Sequence, residues 1–90
     1  MIKEHDRVVL KESLASVGLE AGDVGTVVHL YRDGKAYEVE FTTLEGGTAA
    51  VVTVAASQVR RVGTREIAHA RSLVQPNATA VRETPAKYGK

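Results

Sequence analysis

The side chains able to do chemistry are few and scattered. The three histidines are His5, His29 and His69. No two of them stand at the i, i+4 spacing that sets metal ligands on one helix face, and no carboxylate pattern beside them completes a metal site. Cysteine is absent, which removes disulfides, thiolate ligands and a thiol nucleophile. Ser13, Ser57 and Ser72 have hydroxyls, but none sits in the G-x-S-x-G turn that exposes a nucleophile. Glu38 and Glu40 are two residues apart in an alternating stretch and so point the same way. Such a pair has the composition of a general acid and base, yet beside an alternating apolar face it reads as the solvated side of a strand. With no nucleophile, metal set or recognisable pocket, the residues describe a protein that is not an enzyme and takes no cofactor.

The elements that position these residues are short strands. Asp6–Leu10 reads as the first, with Val8 and Leu10 on one face. Lys11–Gly22 lacks alternation and reads as a long loop pinned by Leu14, Val17 and Leu19. Gly22-Asp23-Val24-Gly25 turns the chain into a second strand, Thr26–Tyr31. Asp33-Gly34 is a tight-turn signal leading to Tyr37–Phe41, where Tyr37, Val39 and Phe41 face inward. After Gly46-Gly47 comes Ala49–Val54, apolar on both faces, which calls for a cover on its outer side. Ala55–Gln58 fits one 3₁₀ turn and Val59–Val62 the closing strand. Five short strands at this spacing predict an all-β fold, a small five-stranded SH3-like barrel over residues 1–62.

Beyond Gly63 the pattern changes. Thr64 suits a helix N-cap, Glu66 suits its first turn, and Ile67, Ala70, Leu73 and Val74 lie on one stripe at helical spacing. A C-terminal amphipathic helix over residues 63–76 is predicted, ending at Pro76-Asn77. Residues 77–90 read as a flexible basic tail. A helix this short is marginal alone. It needs either the outer face of the fourth strand or a groove on another protein.

The overall charge of +1 conceals an asymmetry. Through Val62 the chain has seven basic and nine acidic residues, and from Gly63 onward five basic and two acidic. An acidic domain with a basic tail is a poor nucleic-acid platform, and it lets the tail touch an acidic surface, its own domain included. No stretch approaches the ~20 apolar residues of a membrane helix. With no apolar signal-peptide core after the N-terminus, a cytoplasmic protein without a membrane anchor is expected.

Met1–Leu10, the Gly18-Leu19-x-x-Gly22-Asp23-Val24-Gly25-Thr26-Val27-Val28 segment, Tyr37–Phe41 and Ser57-Gln58-Val59-Arg60 together resemble a family of short bacterial and cyanobacterial proteins classed as a domain of unknown function. The resemblance covers about residues 1–62. It implies a small SH3-like barrel with no established activity, similar in outline to ribosomal barrels of the KOW type, and fold does not fix function.

Size and architecture then suggest a non-catalytic protein-interaction module. Its partner would be another protein, with an accessory or antitoxin-like role and a second copy of the chain among the options. The contact residues expected are Leu14, Val17, Leu19, Arg32, Val51, Ile67, Leu73 and Val74. The alternative is a KOW-like nucleic-acid-binding barrel using Arg60, Arg61, Arg65 and Arg71. Against it, the glycine loop carries Glu20 and Asp23 where such surfaces place lysine, arginine and stacking aromatics.

Overall fold

The structure is a computed structural model that describes residues 1–73. Val74 and the expected tail 77–90 lie outside the described residues. Five strands form one antiparallel sheet: β1 (Arg7–Leu10), β2 (Val24–Leu30), β3 (Ala36–Thr42), β4 (Thr48–Ala55) and β5 (Val59–Arg61). Their order is β4-β3-β2-β1-β5.

This order corrects the barrel expectation. A barrel needs a ladder between its first and last strands. Here β4 and β5 are the two edges, and the three residues of β5 all pair with β1. The sheet coils without closing. It brings Val54 of β4 and Val59 of β5 into the same core as Val8, Leu10, Val27, Val39 and Phe41. The alternation in β3 does what its pattern demands: Tyr37, Val39 and Phe41 are buried, and Glu38 and Glu40 take the other face.

Two irregularities decide what each face presents. The β2–β3 register shifts between Val27 and His29, leaving Val28 unopposed. Strict alternation from the buried Val27 would turn His29 inward and Leu30 outward. The extra residue reverses this, so His29 is exposed opposite Glu38 and Leu30 packs against the core. A second shift, between Phe41 and Thr42, leaves Ala49 unopposed on β4.

The expected helix is also corrected. Among the described residues the only helical pieces are two 3₁₀ turns, Ala15–Val17 and Ala56–Gln58. Residues 63–73 contain one turn at Thr64-Arg65 and otherwise follow an irregular, extended course. A helix would need its Ile67–Ala70–Leu73 stripe buried to offset the cost of nucleation. Instead Ile67 is 93% exposed, and the chain is tied down by side-chain charge pairs. The segment does not cover the outer face of β4, where Val51 remains 49% exposed.

Candidate functional site

The loop between β1 and β2 is folded on itself before it is folded on anything else. Leu14 and Leu19 exchange backbone hydrogen bonds (N···O 2.8 and 3.2 Å) around the 3₁₀ turn Ala15–Val17. Gly18 closes that turn at φ 76°, a conformation that favours glycine. Leu19 is then driven into the core, 3% exposed, while Leu14 and Val17 pack against it. The anchoring leaves the polar end of the loop, Gly18 to Asp23, as a rigid rim.

Asp23 organises that rim. Its carboxylate accepts the Glu20 N–H at 2.8 Å and a two-pronged contact from Arg71, Nε to Oδ1 at 2.9 Å and Nη2 to Oδ2 at 2.6 Å. Arg71 Nη2 also donates to the Gly18 carbonyl at 3.1 Å, and Nη1 stands 3.5 Å from the Glu20 carboxylate. The pair is largely withdrawn from water, Asp23 with 19% and Arg71 with 25% of its side chain exposed. Burial pushes the Asp23 carboxyl up. The Arg71 hydrogen bonds, the Glu20 N–H and the Arg71 charge together outweigh it and hold the pKa below the ordinary aspartate value.

A second clasp starts the same segment. Arg60 on β5 makes a fork-to-fork pair with Glu66 at 2.8 and 2.7 Å, and Glu66 also accepts the Gly63 N–H. These donors, Arg60 first, lower the Glu66 carboxyl to about 2. Residues 63–73 thus form a strap fastened at Glu66 and at Arg71.

The strap borders an open groove of about 990 Å³ whose other walls are the Leu19–Val24 rim and the β3–β4 hairpin from Phe41 to Ala49. Four exposed large apolar side chains line it: Val24, Leu44, Ile67 and Leu73. Leu44 is 87% exposed at the hairpin tip. The unopposed Ala49 lies in the wall formed by the hairpin.

The contact residues expected from sequence are dispersed by this arrangement. Ile67 and Leu73 border the groove and Leu19 forms its floor from the core side, while Val17 and Leu14 support the loop. Arg32 stands apart on the β2–β3 hairpin and Val51 on the outer face of β4. Leu44, Val24 and Asp23 are not among the expected contacts, and Arg71 is expected only as a nucleic-acid contact in the alternative reading. The charge asymmetry was the one signal of the Asp23–Arg71 pair.

The residues with chemical potential do not converge. Glu38 accepts hydroxyl hydrogen bonds from Thr53 at 2.8 Å and Tyr31 at 2.9 Å, which with the nearby His29 hold its carboxyl below the ordinary glutamate value against partial burial. Glu40 accepts separately from Thr48 at 2.6 Å. His29 meets Tyr31 edge to face at 4.9 Å. These contacts make a hydrogen-bonded outer face rather than an acid–base couple. Among the described residues no cluster of His, Asp or Glu is arranged to hold a metal ion, and no helix is long and apolar enough to cross a membrane.

An open, coiled antiparallel sheet with an ion-paired strap across one rim is the class of domain these features define. The chain belongs to the family described as a domain of unknown function (DUF4926), whose model matches residues 4–61. The match ends at Arg61, so the strap lies beyond it. Neither a curated protein nor a solved structure matches the chain.

Proposed function

We propose that the protein is a non-catalytic protein-interaction module and that the groove between the rim, the β3–β4 hairpin and the strap is its contact surface. The observation that carries this reading is the gathering of Val24, Leu44, Ile67 and Leu73 around one depression. Single exposed apolar residues are ordinary on a soluble protein; a group of them bordering one groove, with a polar rim, is the composition of an interface. Leu44 and Ile67 contribute little to the core at these exposures, so covering them is the gain that a partner in the groove offers.

The nucleic-acid alternative has less to stand on. Arg60 and Arg71 are engaged by Glu66 and Asp23, and Arg61 stands 3.9 Å from Asp6. Guanidinium groups already paired have little charge left for phosphate.

The experiment is capture of partners by the tagged chain from its native host, with nuclease treatment, beside the variants Leu44→Asp and Ile67→Asp. One stoichiometric protein retained by the parent chain and lost from both variants supports the groove. Retention by both variants, with the fold intact, removes it, and loss of everything on nuclease treatment moves the case to nucleic acid.

A further inference from the structure

The Asp23–Arg71 contact joins a residue inside the family match to one beyond it. Asp23, Glu20 and the Gly18 carbonyl belong to the part of the chain matched by the family, residues 4–61, and Arg71 does not. That part has six basic and nine acidic residues, so its rim is an acidic surface on an acidic body. Into this rim the strap inserts one guanidinium, met by two carboxylate oxygens of Asp23, a backbone carbonyl and the edge of Glu20. Beside it a depression of about 350 Å³ opens between Ser13, Ala15 and Glu20.

We propose that the Gly18–Asp23 rim is an arginine-recognition pocket which Arg71 fills in cis, and that the protein bound in the groove replaces Arg71 with an arginine of its own. This rests on the groove reading above and names the chemistry of its partner: a protein segment presenting an arginine next to apolar side chains.

The geometry selects arginine over lysine. Nε and Nη2 reach separate Asp23 oxygens while Nη2 also reaches the Gly18 carbonyl, a set that a planar fork satisfies and an ammonium does not. The rim is held by bonds that do not involve Arg71. The Glu20 N–H to Asp23, the Ala21 N–H to Ser13 Oγ at 3.1 Å and the Leu10 N–H to the Asp23 carbonyl at 2.9 Å set its shape. The strap is loosely invested, since Ile67 stays almost wholly in water and Leu73 is exposed. Lifting it sacrifices little apolar burial, and an incoming arginine restores each bond that Arg71 gives up.

The test uses the full chain, isotope-labelled, as parent and as Arg71→Gln. Each is titrated with a synthetic peptide of residues 66–73, and with the same peptide carrying Arg71→Lys. The expected result is saturable shifts at Gly18, Glu20 and Asp23 in the Arg71→Gln chain. Binding to the parent should be several-fold weaker, because its own arginine competes. The lysine peptide should bind at least about tenfold more weakly than the arginine peptide, and Asp23→Asn in the Arg71→Gln background should remove the response. Unmoved shifts at Val27 and Val39 establish that the sheet is intact, and Arg71→Ala repeats the measurement in a second variant. Absence of saturable shifts up to about 1 mM peptide, or equal binding of the two peptides, overturns the proposal. If that happens while Leu44→Asp still abolishes partner capture, the groove stands and the arginine pocket falls.

Discussion

At the scale of the residue, Gly25 and Arg71 show two ways in which a single side chain matters. Gly25, the second residue of β2, lies against the aromatic ring of Phe41 in β3. A Cβ there would stand 2.5 Å from Val39 Cγ1 and 2.9 Å from Phe41 Cδ2, both buried atoms with no room to retreat. Gly25→Ala is therefore an overpacking change, expected to cost about 1–3 kcal/mol in chemical denaturation. The sequence pattern places Gly25 in a turn, whereas its role is close packing against its register partner Phe41, sixteen positions away in β3, and the neighbouring Val39, which only the register reveals. Arg71 works differently. A partly exposed ion pair contributes little to folding, so Arg71→Ala should change global stability by less than about 1 kcal/mol while releasing the strap, seen as fast amide motion over residues 67–73. The same variant should raise the Asp23 pKa, because the groups that outweigh its burial are mainly those of Arg71. An unchanged Asp23 titration would show that the backbone N–H of Glu20 alone holds the carboxylate.

At the scale of the element, the strands were legible and their exceptions were not. The apolar alternation of Tyr37, Val39 and Phe41 and the Asp33-Gly34 turn announce the β2–β3 hairpin directly. Nothing in Thr26–Tyr31 announces the bulge at Val28, because Val-Val-His-Leu satisfies a strand in either phase until a partner's register chooses one. Deleting Val28 removes the extra residue, so Val27, His29 and Leu30 should alternate in, out and in against Val39, Glu38 and Tyr37, with both flanking registers kept and a loss below about 2 kcal/mol. Equilibrium unfolding measures it, and a loss well above that would mean that the local twist the bulge adds is itself needed to form the core. The strap shows the opposite failure. Its stripe is periodic enough for a helix, and Glu66 does cap backbone as a first-turn acid would, by accepting the Gly63 N–H. The competing arrangement is the Arg60–Glu66 fork, which fixes the chain after one turn. Since the folded Glu66 pKa is depressed to about 2, its contribution is complete above the ordinary glutamate value and fades as pH falls through that range toward 2. A carboxyl titration followed by NMR should place Glu66 near that midpoint and move it up toward the ordinary range in Arg60→Gln, where the Gly63 N–H still lowers it. The strap should loosen at its Glu66 end over the same acid interval.

At the scale of the whole molecule, the consequence of an open sheet is a pair of unpaired edges. The spacing of five short strands was sufficient to predict an all-β domain, but closure depends on whether the last strand is long enough to reach the fourth, and β5 has three residues that β1 already occupies. β4 is the longer edge, running from Thr48 to Ala55, with Val51 on its outer face in water. An edge of that length is a template for another strand unless something blunts it. The unopposed Ala49 breaks its regularity at one end, and Ala56, bonded to the Lys35 carbonyl at 2.8 Å, turns the chain away at the other. That leaves the six residues Ala50–Ala55 as the regular stretch of the edge. Amide exchange distinguishes the possibilities. In the open sheet, alternate amides of β4 bond to β3 and are protected, and those between them face away and exchange rapidly. The amides of β3, flanked on both sides by β2 and β4, should be the slowest in the molecule. Protection of every β4 amide in dilute solution would mean that the edge is closed by β5 or covered by the remainder of the chain. Protection that appears only as concentration rises would mean that β4 pairs with a second copy, and the groove, which Ala49 lines, would then occur twice in one assembly.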